Sequence, residues 1–276
     1  METYEIAGFR LIGRSVAGHG TSLIFPELDF SFDVAQGSSK YFMSVNNFLI
    51  THGHMDHAAG IPFIISQKSL NHMTGPVFYM PESLVTPMTE ITKLWMKIEE
   101  HEYPFKFVGV REDQDYPLKG EYFFRVFPTV HRVQSYGYTV FRRVRKLKAA
   151  YRELGRDAIV ALREKGEAIH DFIEEPLISF TGDTQIEFIR SRPWVLKSKV
   201  LFFETTYLNE KKSVSEARKW GHIHLDEVIP HLDEFKNEKI VLIHFSRRHS
   251  REEIREILRR KIPPAHQERV IPLIPG

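Results

Sequence analysis

Three imidazoles and one carboxylate fall within six residues, at His52-Gly53-His54-Met55-Asp56-His57, directly after the apolar run Asn47–Ile50. Side chains at a strand end alternate with period two, so His52 and His54 share one side and can grip one cation together. Asp56 and His57 lie on the turn beyond and can reach a second cation. Neutral imidazole and carboxylate oxygen suit zinc, and manganese or iron can occupy such sites too. The chain has no cysteine. That excludes disulfides, zinc ribbons and thiol nucleophiles and leaves metal ligation to histidine and carboxylates. A cluster of surface histidines would almost never reach this spacing by composition alone.

One motif does not complete two coordination shells. Three further candidates end apolar strands elsewhere: His131 after Phe123–Val130, Asp183 after Ile178-Ser179-Phe180-Thr181-Gly182, and His244 after Ile240–Ile243. Loops at strand ends are where sites converge. Any one of the three alone reads as an ordinary strand-end residue; behind the first cluster they read together as ligands.

The elements that must position these residues follow from periodicity. Phe9–Ile12, Leu23–Phe25 and Phe30–Val34 are short β-forming runs between Gly, Pro and Ser breaks. A helix is expected from Ala58 or Gly60 towards Leu70, and another over Ser83–His101, with apolar residues at Leu84, Met88, Ile91, Leu94, Trp95 and Ile98. Strands are expected at Phe123–Val130, Gly137–Phe141, Leu177–Thr181, Val200–Glu204 and Ile240–His244, with helices at Leu225–Phe235 and Arg251–Lys261. Lys146–Leu154 and Arg156–Lys165, parted by Gly155, read as a helical hairpin. No sequence repeat is visible. Strands first, then alternating strands and helices, predict an α/β fold: an αββα sandwich of two sheets with outer helices.

A chain of 276 residues can bury a sizeable core, and 42% hydrophobic and 27% charged residues are ordinary for a soluble enzyme. No apolar run reaches the ~18 residues that span a bilayer, and Met1–Glu5 lacks a signal-peptide pattern, so a cytoplasmic location is the default. The net charge of +2 is unevenly spread. Phe141 to Lys165 holds nine Lys/Arg against three Asp/Glu, and Arg247 to Pro263 holds seven against three. Such patches point to a polyanionic partner or to solvated helix faces.

The run of motifs resembles the metallo-β-lactamase superfamily and, within it, ribonuclease Z, the tRNA 3′-end endonuclease. The matching segments are Phe32-Asp33, His52–His57, His131–Tyr138, Phe180–Thr184, Phe203-Glu204-Thr205-Thr206, Gly221-His222-Ile223-His224 and His244-Phe245-Ser246. They span nearly the whole chain. Lys146–Gly155 is similar to a segment of the short, plant-type form. The His52–His57 motif alone specifies only the superfamily; the His131–Tyr138 and Gly221–His224 blocks narrow it.

This resemblance implies one domain over residues 1–276, with a basic helical-hairpin insertion at about 142–172. It implies two Zn2+ per chain: His52, His54 and His131 on one, Asp56, His57 and His244 on the other, and Asp183 bridging. Asp56 would also orient or deprotonate the attacking water. His222 would be the general acid, with Glu204 charging and orienting it. Read without the resemblance, Glu204 is a strand-end carboxylate in a salt bridge and His222 a residue at a helix N-terminus. His224 is open between helix N-cap, phosphate contact and acid. Asp33 would support the site by hydrogen bonding. Ser135, Gly137 and Tyr138 would receive an unpaired 3′ nucleotide, with core packing of Tyr138 as the alternative.

Arg142, Arg143, Lys146 and Lys148 on the insertion would grip the tRNA by its phosphates, and Arg247 and Arg248 would hold phosphates nearer the cut. The partners implied are a tRNA precursor, no membrane, and a second copy of the chain in a homodimer. Two departures stand out: Phe203 where many members carry His, and Arg248-His249 where the family segment usually ends in Arg-Tyr.

Other readings share the His52–His57 cluster. A glyoxalase II-like thioester hydrolase or a small phosphodiesterase would not explain the basic insertion or the Gly221–His224 block. A di-iron oxidoreductase would carry a carboxylate where His54 stands. A metal-free RNA-binding relative would not keep all seven ligands.

Overall fold

The structure, a computed structural model, describes residues 1–35 and 40–274. Two seven-stranded sheets form it, and each takes its strands from one half of the chain. The first sheet runs β1 (Glu2–Ile6), β2 (Phe9–Val16), β3 (Gly20–Phe25), β4 (Phe30–Phe32), β5 (Asn47–Leu49), β6 (Val77–Pro81) and β7 (Lys106–Val110). The second runs β8 (Tyr116–Pro117), β9 (Tyr122–Pro128), β10 (Tyr136–Leu147), β11 (His170–Phe180), β12 (Val200–Glu204), β13 (Lys239–Ile243) and β14 (Val270–Pro272). Among the described residues seven α-helices complete it: α1 (Met55–Ala58), α2 (Ile61–Leu70), α3 (Glu82–Glu99), α4 (Arg156–Glu164), α5 (Val214–Lys219), α6 (Leu225–Val228) and α7 (Arg251–Lys261).

The two halves repeat one topology that the sequence does not betray. β1 to β4 pair antiparallel and β4 to β7 parallel. β8 to β11 pair antiparallel and β11 to β14 parallel in the same way.

Alternation along each strand builds the layers. In β12, Val200 and Phe202 belong to the core between the sheets, while Leu201 and Phe203 belong to the core under α6 and α7. A third core lies between the first sheet and α2 and α3. Phe32 stacks on Phe180 across the central core at 4.7 Å. Truncating either ring to alanine would cost about 3–5 kcal/mol.

Three elements differ from their expected form. The insertion is a β-ribbon, not a helical hairpin. β10 and β11 pair out to Leu147 opposite His170, a 3-10 turn covers Ala149–Tyr151, and one helix, α4, follows. The ribbon sets Arg142 opposite Glu175, Arg143 opposite Glu174 and Lys146 opposite Asp171. The first two of these facing pairs are ion pairs and favour the ribbon.

The expected helix at Leu225–Phe235 stops as an α-helix at Val228 and continues as a 3-10 turn, because Pro230 has no N–H to continue the ladder. On α3, the apolar stripe Ile91, Leu94, Trp95 and Ile98 faces outward, with Leu94 61% and Ile98 68% exposed. The packed face of that helix is Leu84, Val85, Met88 and Met96.

Candidate metal centre

Loops from both sheets meet in one site. His52 follows β5, His54 sits at the N-cap of α1, and Asp56 and His57 occupy its first turn. His131 follows β9, Asp183 follows β11, and His244 follows β13. Three overlapping donor groups result among the described residues, His52/His54/His131/Asp183, Asp56/His57/His244 and Asp183/His222/His244, with the donor atoms of each group within 4.8 Å of one another. Asp183 belongs to two of them and faces the other. Its Oδ2 lies 3.8 Å from His52 Nε2 and 4.0 Å from His131 Nε2, and its Oδ1 lies 3.3 Å from the Nε2 atoms of His57 and His244.

The surrounding hydrogen bonds decide which nitrogen each ring presents. Asp33 Oδ2 can only accept, so His57 Nδ1 carries the hydrogen across 2.7 Å. Thr51 gives its one hydroxyl hydrogen to Asp33 (2.9 Å to Oδ2) and must therefore accept from His52 Nδ1 at 3.0 Å. Thr206 donates to Glu204 Oε2 at 2.5 Å and accepts from His244 Nδ1 at 3.0 Å. His131 Nδ1 donates to the Gly221 carbonyl at 2.9 Å. In its neutral form each of the four rings thus presents a bare Nε2 inward; burial disfavours charge on His57, but the Asp183 and Asp33 carboxylates outweigh it and raise that ring's pKa well above the ordinary histidine value. His54 turns its Nδ1 in instead, 3.1 Å from His52 Nε2 and 3.2 Å from His131 Nε2.

His57 Nε2, His244 Nε2 and Asp183 Oδ1 are buried with no hydrogen-bond partner. Buried polar atoms left unpaired are costly, and a cation between them removes the cost. The donor set therefore fits divalent metal. Burial pushes the His52, His54 and His131 rings below the ordinary histidine range, and neighbouring imidazoles add to the effect. Neutral rings are ready ligands.

Backbone geometry holds the loops close. Gly182 has φ +61°, and a Cβ there would lie 2.6 Å from Thr51 Cβ. Gly221 has φ +78°, and a Cβ would lie 2.8 Å from His131 Nδ1. Asp33 (φ 50°) and His244 (φ 61°) are in the left-handed region too. Such strain is held in place only where neighbours over-determine it. The Asp33 carboxylate, bound to Thr51 and His57, is one such neighbour.

Glu204 is fully buried and every bond it makes is accepted. Oε1 takes the Thr184 N–H at 3.0 Å and His222 Nδ1 at 2.7 Å; Oε2 takes the Thr206 N–H and hydroxyl and the Ile223 N–H. Burial lowers the pKa of His222, but the Glu204 carboxylate outweighs it and pushes the ring up to about 9. Asp56 Oδ2 accepts the Gly18 N–H at 2.8 Å and lies 3.6 Å from His244 Nε2.

Several residues singled out in the sequence sit elsewhere. His224 is the N-cap of α6: its Nδ1 accepts the Asp226 N–H and its Nε2 meets the Asn209 carbonyl. Neither nitrogen is left for a phosphate or a proton. Tyr138 is fully buried, with its hydroxyl on the Ile50 carbonyl at 2.7 Å, so it packs the core and cannot receive a base. Gly137 lies against the Phe127 ring, and the buried Ser135 hydroxyl bonds Thr129. Strand pairing with β9 turns this block inward, which rules out the nucleotide-receiving role expected for it.

Arg142 pairs with Glu175, and Arg143 with Glu174 and Asp115. Lys146 and Lys148 have no ion-pair partner among the described residues, nor do Arg247 and Arg248, which are exposed beside His244. Motif reading gave no role to the Thr51 and Thr206 hydroxyls or to the Gly18 amide. The only signal for the threonines was their place beside His52 and Glu204.

Residues 29–245 match the family model described as beta-lactamase superfamily domain. The Bacillus subtilis metallo-beta-lactamase fold protein YhfI shares the fold, with a TM-score of 0.65 at 12% identity over 96% of this chain and 95% of that one. Human tRNase Z, short form, does so with a TM-score of 0.61 at 16% identity over 95% of this chain and 94% of that one. Fold and site together define a metallo-β-lactamase-superfamily hydrolase.

Sequence relatives narrow the class. Arabidopsis thaliana tRNase Z TRZ1 is 34% identical over 99% of this chain and 97% of its own length. The chloroplastic tRNase Z TRZ2 of the same plant is 31% identical over 99% of this chain and 77% of its own. The chain belongs to the ribonuclease Z family and is a metal-dependent hydrolase.

Proposed function

We propose that the chain is a zinc-dependent endoribonuclease that removes the 3′ trailer of tRNA precursors by two-metal phosphodiester hydrolysis. The observation that carries this reading is a whole-chain likeness to plant tRNase Z together with seven inward-facing donors split around Asp183.

His52, His54 and His131 would hold one Zn2+, Asp56, His57 and His244 the other, and Asp183 both; Mn2+ or Fe2+ suit the same donors. When bound, two such cations acidify a water and neutralise phosphate charge. Asp56, with one oxygen fixed by the Gly18 amide, orients that water or takes its proton. His222 has Nδ1 committed to Glu204 and keeps Nε2 for the substrate. As the water oxygen bonds to phosphorus, the bond from phosphorus to the ribose oxygen breaks. That oxygen takes its proton from His222.

Arg247 and Arg248, exposed and close in sequence to His244, would hold phosphates beside the cut, and Lys146 and Lys148 would hold a more distant part of the RNA. The outward stripe on α3 supports a homodimer, since a monomer rarely leaves such an apolar helix face in water. Leu94→Glu with Ile98→Glu then yields a monomer in sedimentation. Among the described residues no helix is long and apolar enough to cross a membrane. We take the cytoplasm as the place of action, to be checked by fractionation because one relative is named chloroplastic.

The test uses zinc-loaded protein, a precursor with a 3′ trailer, and bis-p-nitrophenyl phosphate. Cleavage just 3′ of the discriminator base, lost in Asp56→Ala and Asp183→Ala, is expected. Turnover of the small diester with the precursor left whole would instead favour a small phosphodiesterase.

A further inference from the structure

With Tyr138 in the core, the base beside the cut has no assigned platform. One aromatic at the rim stands out. Trp220 is the C-cap of α5, is 47% exposed, and belongs to none of the three hydrophobic cores. The Arg132 guanidinium lies 5.0 Å from its ring centroid, and Arg132 has no carboxylate partner among the described residues. The pair is thus an exposed indole with a planar cation laid on it and nothing to neutralise that cation.

The position of the pair is set by the active centre. Trp220 is two residues before His222, and Arg132 directly follows His131. The Gly221 carbonyl binds His131 Nδ1, and the His131 and His222 rings lie 5.4 Å apart. The loop contact that fixes the tautomer of His131 therefore also brings Arg132 over Trp220. Unpaired bases in RNA are received by stacking on aromatic rings and guanidinium planes. An exposed Arg–Trp stack offers both, with a positive charge for the neighbouring phosphate.

We infer that Arg132 and Trp220 form a stacking shelf for the base of the unpaired nucleotide whose ribose oxygen leaves at the cut. This rests on the ribonuclease reading above. That nucleotide, and not the one across the scissile phosphate, is assigned because the shelf adjoins His222, the group that meets the leaving oxygen. Stacking accepts any base, so the shelf secures position without selecting sequence.

The experiment uses the zinc-loaded protein and precursor carrying an abasic site at either nucleotide flanking the cut. Removing the base on the leaving-oxygen side lowers kcat/KM of the wild-type protein by roughly five- to a hundredfold, mostly through KM. Removing the base on the other side has a much smaller effect. Trp220→Ala shows a similar loss on the normal precursor and little further loss on the abasic one, while Trp220→Phe recovers most of the activity. Metal content and melting temperature are read for each variant, and the wild-type arm needs no variant at all.

Equal cleavage of normal and abasic precursor by the wild-type protein overturns the shelf, as do losses from Trp220→Ala and the abasic site that simply multiply. A wild-type protein that leaves every precursor uncut overturns the ribonuclease reading and the shelf with it. A precursor cut normally by Trp220→Ala overturns the shelf alone.

Discussion

The two halves of the chain place the same device at the same point of the same topology and put it to different uses. Two residues past the end of β5 stands Thr51; two residues past the end of β12 stands Thr206. Each threonine donates to a buried carboxylate and accepts from a histidine Nδ1, and each carboxylate binds a second histidine directly. In the first half the carboxylate is Asp33 and both histidines, His52 and His57, face the metal centre. In the second half it is Glu204, which serves His244 through Thr206 and His222 directly. On the proposed reading, the first half gives its carboxylate to two metal ligands, the second to one ligand and the proton donor. Hydrogen-bonded partners of this kind fix ring orientation and basicity, so the difference lies in what the second ring faces.

On the proposed reading Asp183 serves both cations, so its removal has the largest effect. Asp183→Ala loses activity by at least about a thousandfold. It also lowers the metal content measured after gel filtration, because each cation loses an oxygen ligand. Full activity with two metals retained would break the account of a shared centre.

Glu204→Gln comes next. It removes the charge that holds His222 protonated, and kcat falls by roughly a hundredfold. The sign of the pH effect follows from His222, whose pKa the Glu204 carboxylate pushes up to about 9. The ring is an acid only below its pKa, so in the wild type the rate falls as pH rises through that region. With glutamine the alkaline limb moves to lower pH. A limb that stays in place assigns the donor role to another group.

Asp33→Asn tests the other half. It replaces Oδ2, which accepts from His57 Nδ1 and the Thr51 hydroxyl, with an amide nitrogen that can only donate, while Oδ1 keeps the Thr51 N–H; metal affinity drops by about ten- to a hundredfold, read by competition with a chelator. The pH limb does not move. Thr51→Val and Thr206→Val have smaller effects of similar size on metal affinity, since each leaves one ligand ring without its acceptor. If Glu204→Gln and Asp33→Asn give the same pattern, the two halves do not differ in the way described.

The first half was legible because its ligands are contiguous: His52 to His57 carry their own spacing. The second half scatters His131, Asp183, Glu204, His222 and His244 over separate loops. Strand ends flagged the ligands, but only resemblance joined His222 to Glu204. The hydroxyl relays were out of reach because a threonine beside a ligand looks like any strand residue until its partner is placed. Core and rim were confused at Tyr138 because pairing of β10 with β9 decides which way the ring points. The topological repeat leaves no sequence trace, since β4 and β11 share a role but only short apolar runs.

The insertion misled for the opposite reason, and it is where the halves differ most in shape. Between β3 and β4 the chain turns through Pro26–Asp29; between β10 and β11 it extends a ribbon and α4. The charge of Phe141 to Lys165 alone overstates that of the insertion, because residues 166–175, which lead into and begin the return strand, bring Glu167, Asp171, Glu174 and Glu175 without a Lys or Arg. A view of both strands shows Arg-Arg at 142–143 facing Glu-Glu at 174–175, a sign of pairing that single-segment periodicity misses.

The base of the ribbon is therefore neutralised and its tip is not. Lys146→Glu with Lys148→Glu raises KM for a precursor a few-fold and flattens the salt dependence by roughly one log–log unit per lysine, as lost phosphate contacts do. Arg142→Ala changes neither measurably, because its charge is already bound to Glu175. A stronger effect at Arg142 than at the tip would mean that RNA displaces the Glu175 pair and that the ribbon binds along its length.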